Sequence, residues 1–95
     1  MIMTLADHLS GAAETGGIAL HFGLDADVQI DQYMGSNSDL VVVDTNTRLS
    51  SGAAAYWSVS RVARQISGLS TDLVFKKIDS VLRGNVLAET VALLD

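Results

Sequence analysis

The residues best able to do chemistry lie in one stretch, residues 76–85, which combines two lysines, an aspartate, a serine, an arginine and a glycine. An apolar run at residues 73–75 precedes the stretch and a helical pattern follows it, so these groups are predicted to lie between a strand and a helix. Such junctions hold anionic ligands in proteins with alternating strands and helices. Three of the six lysine and arginine side chains fall within residues 76–83, although the formal net charge is −5. A local cationic site in an acidic chain indicates a small anionic ligand.

Further polar residues follow the other predicted strands. Asp7 comes after the apolar run 2–6, and Asp44 and Arg48 come after the run 40–43. In a parallel sheet the loops after each strand emerge at one edge, so these residues are expected to meet Asp79 and Arg83 there. A guanidinium can hold a carboxylate with two hydrogen bonds, and aspartates accept hydrogen bonds from hydroxyl groups. The set therefore favours a polyhydroxylated acid as ligand.

Structural roles compete with ligand binding at several of these positions. Asp7 or Ser10 could serve as the cap of the first helix. Asp44 could start a turn and pair with Arg48 at the surface, which would contribute at most about 1 kcal/mol. Because side chains alternate along a strand, one of Lys76 and Lys77 is expected to face a helix layer and the other to reach ligand.

Composition excludes several classes of protein. A chain of 95 residues with 48% hydrophobic residues forms one domain at most, and it needs strands buried on both faces or a surface that expects a partner. The negative net charge argues against nucleic acid and anionic membranes as partners. Without cysteine, and with two histidines, no metal site is predicted. No basic leader and no run of roughly 18 apolar residues is present, so a soluble cytoplasmic protein is expected.

Apolar periodicity predicts the elements of the first half. After residues 2–6, small or apolar residues recur at helical spacing, which predicts a helix packed closely on a sheet. These residues are Ala12, Gly16, Ala19 or Leu20, and Gly23. Residues 27–31 alternate apolar and polar side chains, as in a half-exposed edge strand. The β-branched run 40–43 predicts a strand covered on both faces.

Helical spacing dominates the second half. A helix is predicted to begin after an N-cap at Ser50 or Ser51 and to end at Ile66. Residues 73–75 predict a third inner strand, and Asn85 is predicted to cap a last helix. The apolar positions of the two helices are Ala55, Val59, Val62 and Ile66, and then Leu87, Val91 and Leu94. The larger aromatic side chains assigned to the core are Phe22, Trp57 and Phe75.

The order of these elements predicts an α/β fold with three layers, a mostly parallel sheet with helices on both faces, of which this chain is a partial domain. Residues 32–39 have the composition of a loop. That loop can span at most ~27 Å, enough for an extended crossover. It is shorter than the dozen or so residues usual in a parallel connection, which favours an antiparallel direction for the strand 27–31.

Three motifs lie in these segments. Residues 6–12 read Ala-Asp-His-Leu-Ser-Gly-Ala and are followed by Glu-Thr-Gly, residues 43–48 read Val-Asp-Thr-Asn-Thr-Arg, and residues 76–85 read Lys-Lys-Ile-Asp-Ser-Val-Leu-Arg-Gly-Asn. In the same order and over nearly the whole chain, they resemble motifs of the N-terminal domain of the four-carbon acid sugar kinase family. The family's forms are Ala-Asp-Asp-(Leu/Phe)-Thr-Gly-Ala with Asp-Thr-Gly, Val-Asp-Thr-x-(Ser/Thr)-Arg, and Lys-Lys-x-Asp-Ser-Thr-Leu-Arg-Gly-Asn.

The resemblance implies part of an ATP-dependent kinase that phosphorylates a four-carbon sugar acid such as threonate, erythronate or 3-oxo-tetronate. Residues 1–95 would belong to the sugar-acid-binding domain, and a C-terminal domain that is absent here would bind most of the ATP and Mg. A small sugar acid is the expected partner, and association of identical chains is left open.

By the same resemblance, eight residues are assigned to substrate binding. They are Asp7, Asp44, Arg48, Lys77, Asp79, Ser80, Arg83 and Gly84. Asp7 would contact hydroxyl groups of the substrate. Arg48 and Arg83 would contact its carboxylate or the transferring phosphoryl group, and Asp79 with Ser80 would contact the sugar end. No catalytic base is assigned.

Four positions depart from the family motifs. They are His8, Ser10, Glu14 and Val81. A histidine at position 8 replaces an acid that could accept a hydrogen bond from a hydroxyl group or contact a metal. This replacement predicts altered substrate preference or lost activity. Two other functions stay open. One is a truncated binding or interaction module without catalysis. The other is a receiver-like signalling domain built around Asp44, which lacks a clear acidic pair after the first strand and leaves the turn at residues 80–85 unexplained.

Overall fold

The fold is built on a four-stranded sheet, and the computed structural model describes all of residues 1–95. The elements in chain order are β1 (Ile2–Ala6), α1 (Leu9–His21), β2 (Ala26–Ile30), β3 (Leu40–Asp44), α2 (Gly52–Ile66), β4 (Leu73–Lys77) and α3 (Val86–Leu94). The strand order is β2-β3-β1-β4 and every pair is parallel. The predicted α/β class is confirmed. No helix combines the length and the apolar character that crossing a membrane requires.

Helices cover both faces of the two central strands. One core joins alternate residues of β1 and β3 to α2 and α3, and the other joins the intervening residues to α1. The first core contains Met3, Leu5, Val41, Val43, Val59, Val62, Ile66 and Ala92. The second contains Ala6, Ala12, Ala19, Leu40 and Val42. Because β3 is buried along its whole length, the β-branched run has the position that its composition predicted.

The two long helices follow their sequence patterns. Ser51 is the N-cap of α2, and its hydroxyl accepts a hydrogen bond from the Ala54 amide at 3.1 Å. The predicted stripe from Ala55 to Ile66 is buried. In α1 the buried positions include Gly16, where a Cβ would lie 3.0 Å from the side chain of Val28 in β2. Small residues therefore allow α1 to lie close to the sheet.

The predicted direction of β2 is wrong, although its position at an edge is correct. β2 runs parallel to β3, and the chain crosses between them without a helix. The side chain of Gln29 holds this crossover: its amide nitrogen donates to the Gly35 carbonyl at 2.7 Å, and its oxygen accepts from the Met34 amide at 2.9 Å. Gln29 is consequently buried, while its apolar neighbours Val28 and Ile30 are 38% and 52% exposed.

β4 is an edge strand rather than the predicted inner strand. It pairs only with β1, and Leu73, Val74 and Phe75 are all exposed. The helix α1 packs over β1, β2 and β3 and leaves β4 uncovered on that side. For this reason Phe75 and Phe22 lie outside the core to which they were assigned. Trp57 is also exposed, on the outer side of α2.

The last helix buries a different face from its leucine positions. Asn85 occupies the N-cap position, but its side chain makes no capping hydrogen bond. Leu87 and Leu94 are 77% and 81% exposed, whereas Glu89 and Ala92 are buried against the rest of the protein. The packing of α3 is therefore set by a polar contact of Glu89 as well as by apolar burial.

Candidate functional site

Parallel pairing places the ends of three strands side by side. In the register of the sheet, Ala6 is the partner of Asp44 on one side and of Lys77 on the other. The loops that follow β1, β3 and β4 consequently leave the sheet at a common edge, as the sequence predicted. Asp7 is the first residue beyond β1, and Asp79 is the second beyond β4.

Four predicted site residues, Asp7, Arg48, Asp79 and Arg83, come together at this edge and form what we call the arginine–aspartate cluster. Arg48 Nη2 lies 3.2 Å from Asp7 Oδ1 and 3.6 Å from Asp79 Oδ1. Arg83 holds the same Asp79 with two hydrogen bonds, from Nε to Oδ2 at 3.0 Å and from Nη2 to Oδ1 at 2.9 Å. The two carboxylates and two guanidinium groups balance in charge.

The turn after β4 is organised around the buried carboxylate of Asp79. Its Oδ2 also accepts hydrogen bonds from the backbone amides of Val81 and Arg83, at 3.1 and 3.2 Å. The side chain of Arg83 lowers the pKa of Asp79 far below its usual value, with help from these two amides and against the effect of burial. In return, Asp79 raises the pKa of Arg83. Both groups are therefore charged throughout the physiological range.

The loop after β3 is attached to the end of β1. The backbone amides of Thr47 and Arg48 both donate to the carbonyl of Asp7, at 3.0 and 3.1 Å. The side-chain amide of Asn85 donates to the carbonyls of Thr47 and Ser50, at 3.0 and 2.7 Å. The Asn85 side chain thus binds this loop instead of capping α3, and it connects the motif at residues 76–85 to the motif at residues 43–48.

Gly84 lies against the cluster, between Asp7 and Arg48. Its backbone has φ +89, a conformation that residues with a side chain rarely adopt. A Cβ at this position would lie 2.6 Å from Asp7 Oδ2 and 3.3 Å from Arg48 Cγ. The glycine of the motif is therefore required both by the turn and by the space that the cluster occupies.

The other three predicted residues lie outside the cluster. Asp44 is buried, and its Oδ1 accepts from the backbone amide of Asn46, so it does start a turn. Lys77 lies next to α1, where its Nζ donates to the Ile78 carbonyl at 2.8 Å. Ser80 is exposed on the turn after β4. Their assignment to substrate binding stays a prediction.

The structure also shows which residue caps α1 and which residues pair with Arg48. His8 is the N-cap of α1, and its Nδ1 accepts from the Ser10 amide at 3.2 Å. Asp7 therefore does not cap α1, and its side chain contacts Arg48 instead. The alternative in which Arg48 pairs with Asp44 at the surface is wrong, because the Arg48 side chain is only 14% exposed and is shared between Asp7 and Asp79.

Sequence reasoning missed the buried polar residues behind the cluster. Thr47 and Glu89 are 2% and 1% exposed, and the Thr47 hydroxyl donates to Glu89 Oε2 at 2.9 Å. Lys76 Nζ lies 3.2 Å from Glu89 Oε1. Strand alternation did predict that one lysine of the pair faces a helix layer. The one available signal for Glu89 was an acid in the first turn of a helix, which is common at helix starts in general.

The cluster offers both kinds of contact that a sugar acid needs. The Arg83 side chain is 65% exposed, so part of its guanidinium faces outward while Nε and Nη2 hold Asp79. Arg48 Nε is buried without a hydrogen-bond acceptor, and Asp7 Oδ2 accepts no hydrogen bond within the chain. The outward part of the Arg83 guanidinium can bind a carboxylate, and Asp7 Oδ2 can accept a hydrogen bond from a hydroxyl. No group of histidine and acidic side chains in the chain could hold a metal ion.

Comparison with known proteins identifies the family of this chain. The model of the family described as the sugar-binding N-terminal domain matches residues 2–95. The D-erythronate kinase of Heliobacterium modesticaldum (strain ATCC 51547 / Ice1) is 33% identical over 99 residues, which cover 99% of this chain and 23% of that kinase. The chain thus spans about a quarter of the length of this relative. The chain belongs to the sugar-binding N-terminal domain family, and the resemblance to the N-terminal domain of four-carbon acid sugar kinases is confirmed.

Proposed function

We propose that this chain binds the sugar-acid substrate of an ATP-dependent kinase, and that the substrate is a four-carbon acid of the erythronate, threonate or 3-oxo-tetronate type. The observation that carries the proposal is the arginine–aspartate cluster, which gathers charged groups from three strand ends at one edge of the sheet. The named activity of the D-erythronate kinase relative supports the choice of substrate class.

In the proposed binding mode, the outward part of the Arg83 guanidinium holds the substrate carboxylate. Arg48, whose side chain is 14% exposed, contributes a second donor, and Asp7 Oδ2 accepts a hydrogen bond from a substrate hydroxyl. Asp79 acts by fixing Arg83, since both of its carboxylate oxygens are already occupied. A ligand with both a carboxylate and neighbouring hydroxyls satisfies all three free groups at once.

The residues of this chain do not fit Mg-ATP. The loop between β1 and α1 carries Asp7 and His8, and the His8 side chain already accepts from the amide of Ser10, the second residue of the helix. Asp7 and Asp79 are committed to arginines, so no set of carboxylates is available for Mg. We propose that a separate domain of the full kinase supplies ATP binding, and that phosphoryl transfer takes place only where both parts meet.

Titration of the chain with D-erythronate, followed by amide NMR shifts, tests the proposal. Erythritol has the hydroxyls without the carboxylate, so it should bind at least about tenfold more weakly if a guanidinium pair holds the acid. Arg83→Ala should weaken erythronate binding by a similar factor. Arg64→Ala, which removes the same charge from the exposed side of α2, is the matched control and should leave binding unchanged.

Two outcomes contradict the proposal. Equal affinity for erythronate and erythritol would remove the carboxylate contact. Absence of binding to erythronate, threonate and 3-oxo-tetronate would favour the second candidate, a binding or interaction module without sugar-acid recognition. The exposed edge strand β4 is the observation on which that second candidate rests.

A further inference from the structure

A buried ion pair contacts the loop that carries Arg48. Glu89 is 1% exposed, and its Oε1 is 3.2 Å from Nζ of Lys76, whose side chain is 12% exposed. The same Nζ donates to the Lys77 carbonyl at 3.1 Å. Removing a carboxylate and an ammonium group from water is unfavourable unless further hydrogen bonds satisfy them. The pair therefore needs an explanation beyond the packing of α3.

Two threonine hydroxyls connect Glu89 to the loop after β3. Thr47 Oγ1 lies 2.9 Å from Glu89 Oε2 and 2.7 Å from Thr45 Oγ1. The Thr45 hydroxyl can donate either to Thr47 Oγ1 or to the Ala6 carbonyl at 3.2 Å, and that carbonyl also accepts the Thr45 backbone amide at 2.8 Å. An ionised carboxylate can only accept hydrogen bonds. The Thr47 hydroxyl proton consequently points toward Glu89, and Thr45, Thr47 and Glu89 form a row of hydrogen-bonded side chains.

This row is adjacent to Arg48, an arginine of the cluster. The amides of Thr47 and Arg48 share the Asp7 carbonyl as acceptor, at 3.0 and 3.1 Å. The backbone of Arg48 is thus held by Asp7 on one side and, through the neighbouring Thr47 side chain, by Glu89 on the other. The guanidinium of Arg48 lies between Asp7 and Asp79.

We propose that Glu89 is a positioning residue of the sugar-acid site: with its charge balanced by Lys76, it accepts the Thr47 hydroxyl and so orients Arg48 toward the ligand. The proposal rests on the proposed function in that Arg48 contacts the substrate. The orientation of Arg48 is a property of the chain without ligand, however, and it can be measured separately.

Substitution at Thr47 tests the row with little change in shape. Thr47→Val removes the hydroxyl and keeps the volume, while Thr47→Ser restores the hydroxyl. Thr47→Val should raise the dissociation constant for D-erythronate at least about fivefold, the lower end of usual coupling between sites. It should also speed hydrogen exchange at Arg48 Nε, measured by NMR on the free chain. Thr47→Ser should return both values toward those of the unsubstituted chain.

Val59→Ala separates positioning from general loss of stability. Val59 is fully buried in the core between the sheet and α2 and takes part in none of the hydrogen bonds of the row, so its truncation destabilises the fold by leaving a cavity. It should leave Arg48 exchange and erythronate affinity unchanged at temperatures where the chain is folded. Glu89→Gln, which keeps an acceptor for Thr47 but removes the charge facing Lys76, provides a second variant if Thr47→Val does not fold.

The possible results have distinct meanings. If Thr47→Val lowers the unfolding temperature but leaves Arg48 exchange and affinity as they were, Glu89 has a structural role alone and the inference is overturned. If the unsubstituted chain binds no erythronate, the proposed function fails, and the exchange rates at Arg48 in Thr47→Val and Thr47→Ser still decide whether Glu89 positions this arginine.

Discussion

The contact between Gly84 and the cluster gives the sharpest prediction. Gly84→Ala would place a Cβ 2.6 Å from Asp7 Oδ2 and 3.4 Å from the Arg48 Cα. The first distance is roughly 0.9 Å inside ordinary van der Waals contact. Asp7 is buried and its other oxygen is held by Arg48, so it can move away only by weakening that ion pair.

Gly35→Ala is the matched control, because Gly35 has the same φ of +89 with nothing near its added Cβ. A side chain in this conformation costs about 1–2 kcal/mol at either position. Both substitutions restrict the unfolded chain equally, so that effect cancels in the comparison. The additional loss at Gly84 is a hydrogen bond between charged groups, worth about 2 kcal/mol. We expect Gly84→Ala to be less stable than Gly35→Ala by this amount.

Urea unfolding followed by far-UV circular dichroism at pH 7 measures the difference. For a domain of this size, 2 kcal/mol corresponds to a difference in melting temperature of about 8–16 °C. Gly84→Ala should also weaken erythronate binding, because Asp7 and Arg48 are displaced, whereas Gly35→Ala should not. Equal free energies of unfolding for the two variants would refute the reasoning, since the shared strain at positive φ would then account for the whole loss of stability.

Three further predictions concern the same loops. The pKa of Asp79 is lowered in the folded state, so the stabilisation that its charge provides is complete above the unfolded pKa of about 3.9 and is lost as the pH falls below that value. The difference in urea midpoint between the unsubstituted chain and Arg83→Ala should therefore be largest above that pH and should shrink in more acidic solution. A difference that widens in acid would contradict this prediction. Asn85→Asp removes two donors to carbonyl groups and should reduce the free energy of unfolding by about 2–4 kcal/mol, whereas Asn37→Asp in the exposed crossover should change it little. Ser51→Ala removes the N-cap of α2 and should cost about 1 kcal/mol in the same urea assay; no change would mean that water replaces the cap.

Local patterns predicted the parts of the fold that depend on local physics. The stripe of α2 and the small-residue face of α1 were correct because helical spacing alone decides which side chains share a face. The meeting of Asp7 with Asp79 was expected because parallel strands end at one edge. Each of these inferences needs only the sequence within one element or the general rule for its sheet.

The features that were predicted wrongly depend on distant partners. The spacing of the leucines predicted that α3 buries the face with Leu87 and Leu94. In the structure α3 instead buries Glu89, which contacts Thr47 and Lys76. A polar residue in β2, Gln29, is buried because it closes the crossover that follows it. Such a requirement is visible only once the loop has been placed. The same holds for Asn85, whose side chain serves a loop some 35 residues away along the chain.

The open edge of β4 has a practical consequence for work with this chain in solution. Strands with unpaired backbone groups and apolar side chains add strands from other molecules unless charged residues block them. Lys76 and Lys77 could have served as such blocks, but their ammonium groups are turned to Glu89 and to backbone carbonyls. Residues 73–75 are therefore left as a short aggregation-prone segment. We therefore expect any pairing of chains at β4 to increase with protein concentration, so binding experiments are best done with dilute protein.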